Sequence, residues 1–183
     1  MQKKRYIIIL VLLLCRAGIS IAQYDSIVKV NRVKYQQMHN RLEDYETVKS
    51  TFIIESGENV QGTAYYEGYD LKIIEVIYLS ESGHKQMEYY FENGSLFFVL
   101  ERKQPSEETV TLYIKGTKNN KTGTGASGNS GKTENRYYFY EDKLIRWYDN
   151  ERKELDLKVG TNSIVGERLL TDAYKMKERL KKF

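Results

Sequence analysis

Between Thr51 and Asn150 the chain divides into eight runs rich in β-branched and aromatic residues: TFIIES, VQGTAYYE, LKIIEVIYLS, HKQMEYYFE, SLFFVLERK, TVTLYIK, NRYYFY and LIRWYDN. Most of the joins between them are only a few residues long and are built on EGYD, SESG, ENG or EDK. A join of that length cannot carry the chain back for a parallel crossover, so successive runs must pair as antiparallel hairpins. The expectation is a meander of about six to eight strands with no βαβ unit. In TVTLYIK, Val110, Leu112 and Ile114 alternate with polar residues, as in a strand with one wet face. LKIIEVIYL and LFFVL are apolar on both faces, as in central strands covered on each side.

That cover is expected from two helices. From Ser26 to about Lys49 the apolar residues Ile27, Val30, Val33, Met38, Leu42, Tyr45 and Val48 recur mostly at steps of three and four, with Asp25 or Ser26 available as N-cap. Near the end, Val165, Leu169, Ala173, Met176, Leu180 and Phe183 repeat the spacing after the cap candidates Thr161, Asn162 and Ser163. Lys175, Lys177, Arg179, Lys181 and Lys182 complement the negative end of that helix and read as a solvated face. The fold class expected is α+β: an N-terminal amphipathic helix, an antiparallel β-meander and a C-terminal amphipathic helix.

Residues 1–22 read differently. MQKKRY carries three cations, IIILVLLLC is an apolar run of nine, and RAGISIA ends with Ser20 and Ala22 placed as a signal peptidase prefers. The run is too short to span a bilayer, and Leu13 and Leu14 before Cys15 do not suit lipidation, so cleavage after Ala22 is expected. Residues 23–183 then form a single domain without a membrane span.

Removing Lys3, Lys4, Arg5 and Arg16 lowers the 29 basic residues to 25, equal to the 25 acidic ones. A neutral mature chain has no overall attraction for nucleic acid, and loss of the one cysteine, Cys15, leaves neither disulfide nor thiol nucleophile.

EYYFENGSLFFV (Glu88 to Val99) aligns without a gap on RYYFYEDKLIRW (Arg136 to Trp147), and AYYEGYDLKII (Ala64 to Ile74) follows as a copy one residue shorter in the turn. Tyr65, Tyr89 and Tyr137 align, with Tyr113 at the intermediate position, which suggests a hairpin repeated about every 24 residues. With the signal segment and the first helix, these stretches resemble a group of small exported proteins of Gram-negative gut bacteria, over most of the mature chain. YYFENGSL is also similar to the hairpin unit of MORN-type repeats, with its aromatics, Asn-Gly turn and following Leu. Neither resemblance implies an enzyme.

ASGNSGKT, Ala126 to Thr133, matches the relaxed phosphate-binding loop, but a working loop needs a strand entering it and a helix starting at Lys-Thr. Here GTKNNKTGTG precedes it and TENRYYFYED, which reads as a strand, follows. The stretch from Gly116 to Glu134 is read as a flexible loop without a nucleotide.

His39 and His84 are the only histidines, no HExxH or G-x-S-x-G occurs, and both read as surface residues. No metal, cofactor or catalytic residue is assigned. Glu55, Glu67, Glu75, Glu88 and Glu92 lie on or beside strands, where two close carboxyls could serve glycoside hydrolysis. Glu75, interrupting LKIIEVIYL, reads first as a charge paired with Lys or Arg on a neighbouring strand.

Sixteen tyrosines exceed what a core needs, and in each Tyr-Tyr pair one ring faces each side of the sheet. One column is expected under a helix and the other, Tyr66, Tyr90 and Tyr138, more exposed, with Arg146 and Trp147 extending it. The function expected is a non-catalytic exported module that binds an envelope protein, peptide or glycan on this face. The alternative is a glycan-directed hydrolase using two strand carboxylates.

Overall fold

The structure, a computed structural model, describes residues 21–54, 57–80, 83–105 and 131–182, and the side chains from residue 23 onward. Most of the expected signal segment, the run TVTLYIK, Glu55, Phe183 and the 116–130 part of the loop lie outside the described residues. Helix α1 (Ile21–His39) leads through a short 3-10 turn (Leu42–Asp44) into seven strands. These are β1 (Glu46–Ile53), β2 (Asn59–Glu67), β3 (Asp70–Ser80), β4 (Gly83–Glu92), β5 (Ser95–Pro105), β6 (Thr133–Tyr140) and β7 (Lys143–Tyr148), and helix α2 (Asn162–Arg179) follows. The strands form one sheet in sequence order, each antiparallel to its neighbours. The short joins therefore make the meander they required. No described helix is long and apolar enough to cross a membrane.

Three expectations are corrected. The first helix, expected to reach about Lys49, ends at His39, and Tyr45 and Val48 belong to the strand side. Tyr45 is extended, and residues from Glu46 to Ile53 find partners from Tyr66 to Asn59 on β2. Eight paired residues outweigh a weak helical periodicity, especially with Thr47, Val48 and Thr51 β-branched. Asp25 and Ser26 lie inside α1, so neither caps it. The loop expected to run to Glu134 stops sooner, because Thr133 and Glu134 open β6. A strand beginning at Thr133 also removes the helix that a phosphate-binding loop at ASGNSGKT would need; Ala126 to Ser130 lie outside the described residues.

The helices cover opposite faces of the sheet. Val165, Leu169, Ala173, Met176 and Leu180 of the α2 segment are buried on Val60, Ala64, Tyr66, Ile74, Tyr89, Phe91, Tyr137 and Phe139. On the other face Val28 of α1, with Tyr35 and Met38, covers Ile73, Tyr90, Phe97, Phe98, Tyr138 and Ile145. The steps of three and four in α2 thus translate directly into one buried stripe. Thr161 holds the N-cap position of α2 without a side-chain cap bond.

The hairpin repeat is real, with a different phase for its first copy. Glu67↔Asp70, Glu92↔Ser95 and Tyr140↔Lys143 each enclose a two-residue turn. Each pair is followed by Tyr66↔Leu71, Phe91↔Leu96 or Phe139↔Leu144 and then by a bulge. The equivalent tyrosines are therefore Tyr65, Tyr90 and Tyr138, and Tyr66 corresponds to Phe91 and Phe139. The turns have equal length, and matching the Tyr-Tyr letters had shifted the first copy by one residue. Both turn residues in Asn93-Gly94 and Glu141-Asp142 have positive φ, the type I′ geometry whose twist suits a hairpin.

Helix α2 approaches β7 through Gly166, where an added Cβ would lie 2.7 Å from Leu144 Cβ. Leu144 Cβ is tied to the strand backbone and cannot swing aside. Gly166→Ala improves helix propensity by roughly 1 kcal/mol yet is expected to lower stability by about 1–3 kcal/mol net through overpacking. The midpoint of urea unfolding measures which term wins.

Candidate functional site

Helix α1 seats itself on the sheet through one polar residue. Asn31 is buried, and its amide donates to the carbonyls of Phe97 and Phe139, both at 3.2 Å. Phe97 is the bulged residue of the β4–β5 hairpin and has no partner in the strand register. A buried amide thus satisfies strand carbonyls beneath the helix and fixes the position of α1. Arg32, Tyr35, Gln36 and His39 then project along the flank of α1 that borders the sheet.

Two concavities lie along this flank. The smaller, about 170 Å³, is lined by His39, Leu42, Tyr65, Ile73, Glu75, Gln86, Glu88, Tyr90 and Arg102. Glu75 and Glu88 stand opposite each other in the β3–β4 register, where like charges repel. The Gln86 amide bridges them, at 2.7 Å from Glu75 Oε1 and 3.1 Å from Glu88 Oε1. Tyr65 donates to Glu75 at 3.1 Å, and Tyr90 donates to Glu88 at 2.6 Å. Since the Tyr90 proton goes to Glu88, its oxygen accepts from Nδ1 of His39 at 3.2 Å. Arg102 adds an ion pair to buried Glu88. The expected cation therefore pairs with Glu88, whereas Glu75 is held by Tyr65 and Gln86. His39, expected at the surface, is half-buried here, and His84 is exposed on β4. Glu67 is paired with Arg41 and Lys72, and Glu92 with Lys34, at the turn end of the sheet.

The larger concavity, about 300 Å³, has a different chemistry. Phe98, Tyr138 and Tyr148 from the sheet and Tyr35 from α1 give it aromatic walls, and Arg32, Gln36, Arg136 and Arg152 supply its polar groups. Arg32 Nε donates to Tyr138 at 3.1 Å, and its guanidinium lies 5.6 and 5.5 Å from the ring centres of Tyr138 and Tyr148. That bond, acting against burial, holds the Arg32 pKa above its ordinary value. Arg136 pairs with Glu134, which Arg102 shares at 3.1 Å. Among the described residues no carboxylate lines the cleft.

Arg152 reaches it from a tight turn after β7. The Asp149 carboxylate accepts from the amides of Glu151 and Lys153, both at 2.9 Å, and Arg152 sits at φ +62°. This hairpin loop of three residues, closed by the Asp149 amide donating to the Lys153 carbonyl at 3.0 Å and flanked by the Tyr148↔Glu154 bridge, favours glycine at its left-handed position. An arginine there costs about 1 kcal/mol of backbone strain.

The tyrosines singled out in the sequence do not form an exposed column. Tyr66, Tyr90 and Tyr138 are 6%, 0% and 2% exposed. Tyr66 lies on the α2 face, donating to the Leu180 carbonyl at 3.0 Å, while Tyr90 and Tyr138 lie under α1. The Tyr65-Tyr66 pair sits one residue nearer its turn than Tyr89-Tyr90 and Tyr137-Tyr138 do, so Tyr66 takes the place of Phe91 and Phe139 on the α2 face, and two helices leave neither face bare. Trp147 packs on Tyr137 on the α2 face. Arg146, on the α1 face, meets Asp25 at 3.2 Å and Glu154 at 3.1 Å, the latter an ion contact by a buried Nε not aligned as a hydrogen bond. Of the five candidates only Tyr138 lines the cleft; Arg32, Tyr35, Gln36, Phe98, Arg136, Tyr148 and Arg152 were missed. The spacing of Arg32, Tyr35 and Gln36 on one helical face was a usable signal.

A wider concavity, about 980 Å³, is a trough beside α2. Its Lys85 and Arg179 lie over the Tyr78 and Phe52 rings, and Glu58 and Asp172 mix with its cations, so it offers no preferred charge. No protein-family model matches the chain, and no curated protein and no solved structure matches it either.

Two measurements test the polar wiring. Glu88→Leu leaves Tyr90 without its acceptor and Arg102 with Glu134 alone, and is expected to cost about 2–3 kcal/mol, whereas Glu88→Leu with Arg102→Leu recovers much of it. Urea unfolding of both variants reads the difference. Alkaline pH is the second test. Burial first, then the Glu75 carboxylate, pushes Tyr65 up to about 12. Tyr90 and Tyr137 are raised further, by burial and then by Glu88 and Glu101 respectively. The unfolded chain releases these protons near pH ~10, so stability is intact below that point and falls above it by up to about 1.4 kcal/mol per pH unit per tyrosine. Denaturant midpoints between pH 9 and 11 should show the fall, with a shallower slope for Tyr65→Phe.

Proposed function

We propose that the protein is an exported, non-catalytic binding module of the cell envelope, holding a protein, peptide or glycan ligand in the cleft between α1 and the tyrosine-rich sheet. The observation that carries this reading is the cleft of about 300 Å³ in which Arg32, Arg136 and Arg152 meet Tyr35, Phe98, Tyr138 and Tyr148, with no carboxylate among the described residues that line it. Aromatic rings and guanidinium groups are the side chains that contribute most per residue to recognition surfaces. Export is supported by MQKKRY, the apolar run after it and the small residues before Gln23.

The hydrolase alternative draws on Glu75 and Glu88 facing each other across β3 and β4. A general acid or nucleophile needs free lone pairs directed at substrate. Glu88 instead receives donors from Gln86, Tyr90 and Arg102, which suits a structural anchor.

The test immobilises the purified protein and passes a defined panel of envelope glycans and peptides over it, in parallel with an Arg136→Ala/Tyr148→Ala variant. Retention by the parent, weakened roughly tenfold or more in the variant, is the expected result for loss of a buried hot spot. Equal retention by both would remove the ligand from this cleft. Cleavage products from the panel, lost in Glu75→Gln, would establish the hydrolase instead.

A further inference from the structure

We infer that the α1 cleft is an oxyanion site for an acidic sugar, whose carboxylate or sulfate group is gripped by Arg32, Arg136 and Arg152. This rests on the binding reading above and adds the chemistry of the ligand. Three features of the cleft carry it.

Its positive charge is not fully balanced among the described residues. Arg32 makes no ion pair among the described residues, and with Nε committed to Tyr138 its two terminal nitrogens are free to grip a planar oxyanion. Arg152 likewise has no side-chain partner among them. Among the described residues Arg136 pairs with Glu134 alone, whose charge is already divided with Arg102. Beyond the first 22 residues the chain carries 25 acidic against 25 basic residues, so this surplus is local.

Arg152 also occupies a left-handed position, φ +62°, in a loop pinned by Asp149. Glycine would adopt that backbone without strain, and the guanidinium at the cleft mouth is what the strained residue provides.

Size selects among anions. A cleft of about 300 Å³ holds a single sugar ring with its acidic substituent and does not extend as the strip that a nucleic acid or a long acidic peptide needs. Tyr35 and Tyr148 offer ring surface for the apolar side of such a sugar.

The purified protein is titrated by calorimetry with glucuronate, glucose 6-sulfate, glucose, inorganic phosphate and triglutamate. The expected result is binding of glucuronate or glucose 6-sulfate at least roughly tenfold tighter than glucose, weakening as salt screens the arginines. In Arg152→Gly that affinity should fall by roughly tenfold while the melting temperature rises, because backbone strain and ligand contact are lost together. Arg32→Gln, a shorter side chain that keeps a polar amide but no charge, should lose affinity as well.

Glucose binding as tightly as the acidic sugars, unchanged in Arg152→Gly, would overturn the oxyanion assignment and leave the binding module standing. Triglutamate or bare phosphate binding as tightly as the sugars would overturn the sugar assignment. A lower melting temperature in Arg152→Gly would remove the strain argument. Failure of every probe would overturn the inference, and failure of the glycan and peptide panel too would take the binding reading with it.

Discussion

Both faces of the sheet must be buried, and the bulge repeated at three hairpin ends is the device that allows it. Pairing Tyr65 with Ile73, Tyr90 with Phe98 and Tyr138 with Arg146 leaves Lys72, Phe97 and Ile145 as extra residues. Two of these, Phe97 and Ile145, enlarge the apolar floor under α1. Phe97 also offers its carbonyl to Asn31, so the same irregularity that widens the floor locates the helix above it. Bulges that re-aim side chains are a recurrent means of shaping a sheet beside a site.

Two-sided burial makes polar residues inside the sheet expensive, and the structure meets that cost by saturating them. Glu88 and Glu101 are buried, and tyrosine hydroxyls serve both, Tyr90 the first and Tyr137 the second. Tyrosine suits this role because one residue brings ring area to the core and a donor to the carboxylate. The abundance of tyrosine is thereby absorbed into the core and its wiring. Arg32 and Arg152, without a carboxylate partner among the described residues, meet Arg136, which shares Glu134 with Arg102, around one cleft.

Local pattern determined much of this protein. Alternation, β-branched content and short joins required an antiparallel meander, and the stripe from Val165 to Leu180 required a helix lying on it, because hairpin closure and helical periodicity are short-range geometry. Other features were decided only by tertiary structure. Residues Glu46 to Lys49 joined the strand that runs to Ile53 because β2 offered partners, overriding a periodicity that also read as helix. Tyr65 replaced Tyr66 as the equivalent of Tyr90 because equivalence is set by distance from the turn in the paired register, and the first copy carries its Tyr-Tyr pair one residue nearer the turn. The cleft joins Arg32 of α1, Arg136 of β6 and Arg152 beyond β7, and no local rule can bring together residues up to 120 positions apart in the 183-residue sequence. Hydrogen bonds and packing between neighbours along the chain are written in sequence spacing, whereas the meeting of distant side chains depends on how the two helices dock across the sheet.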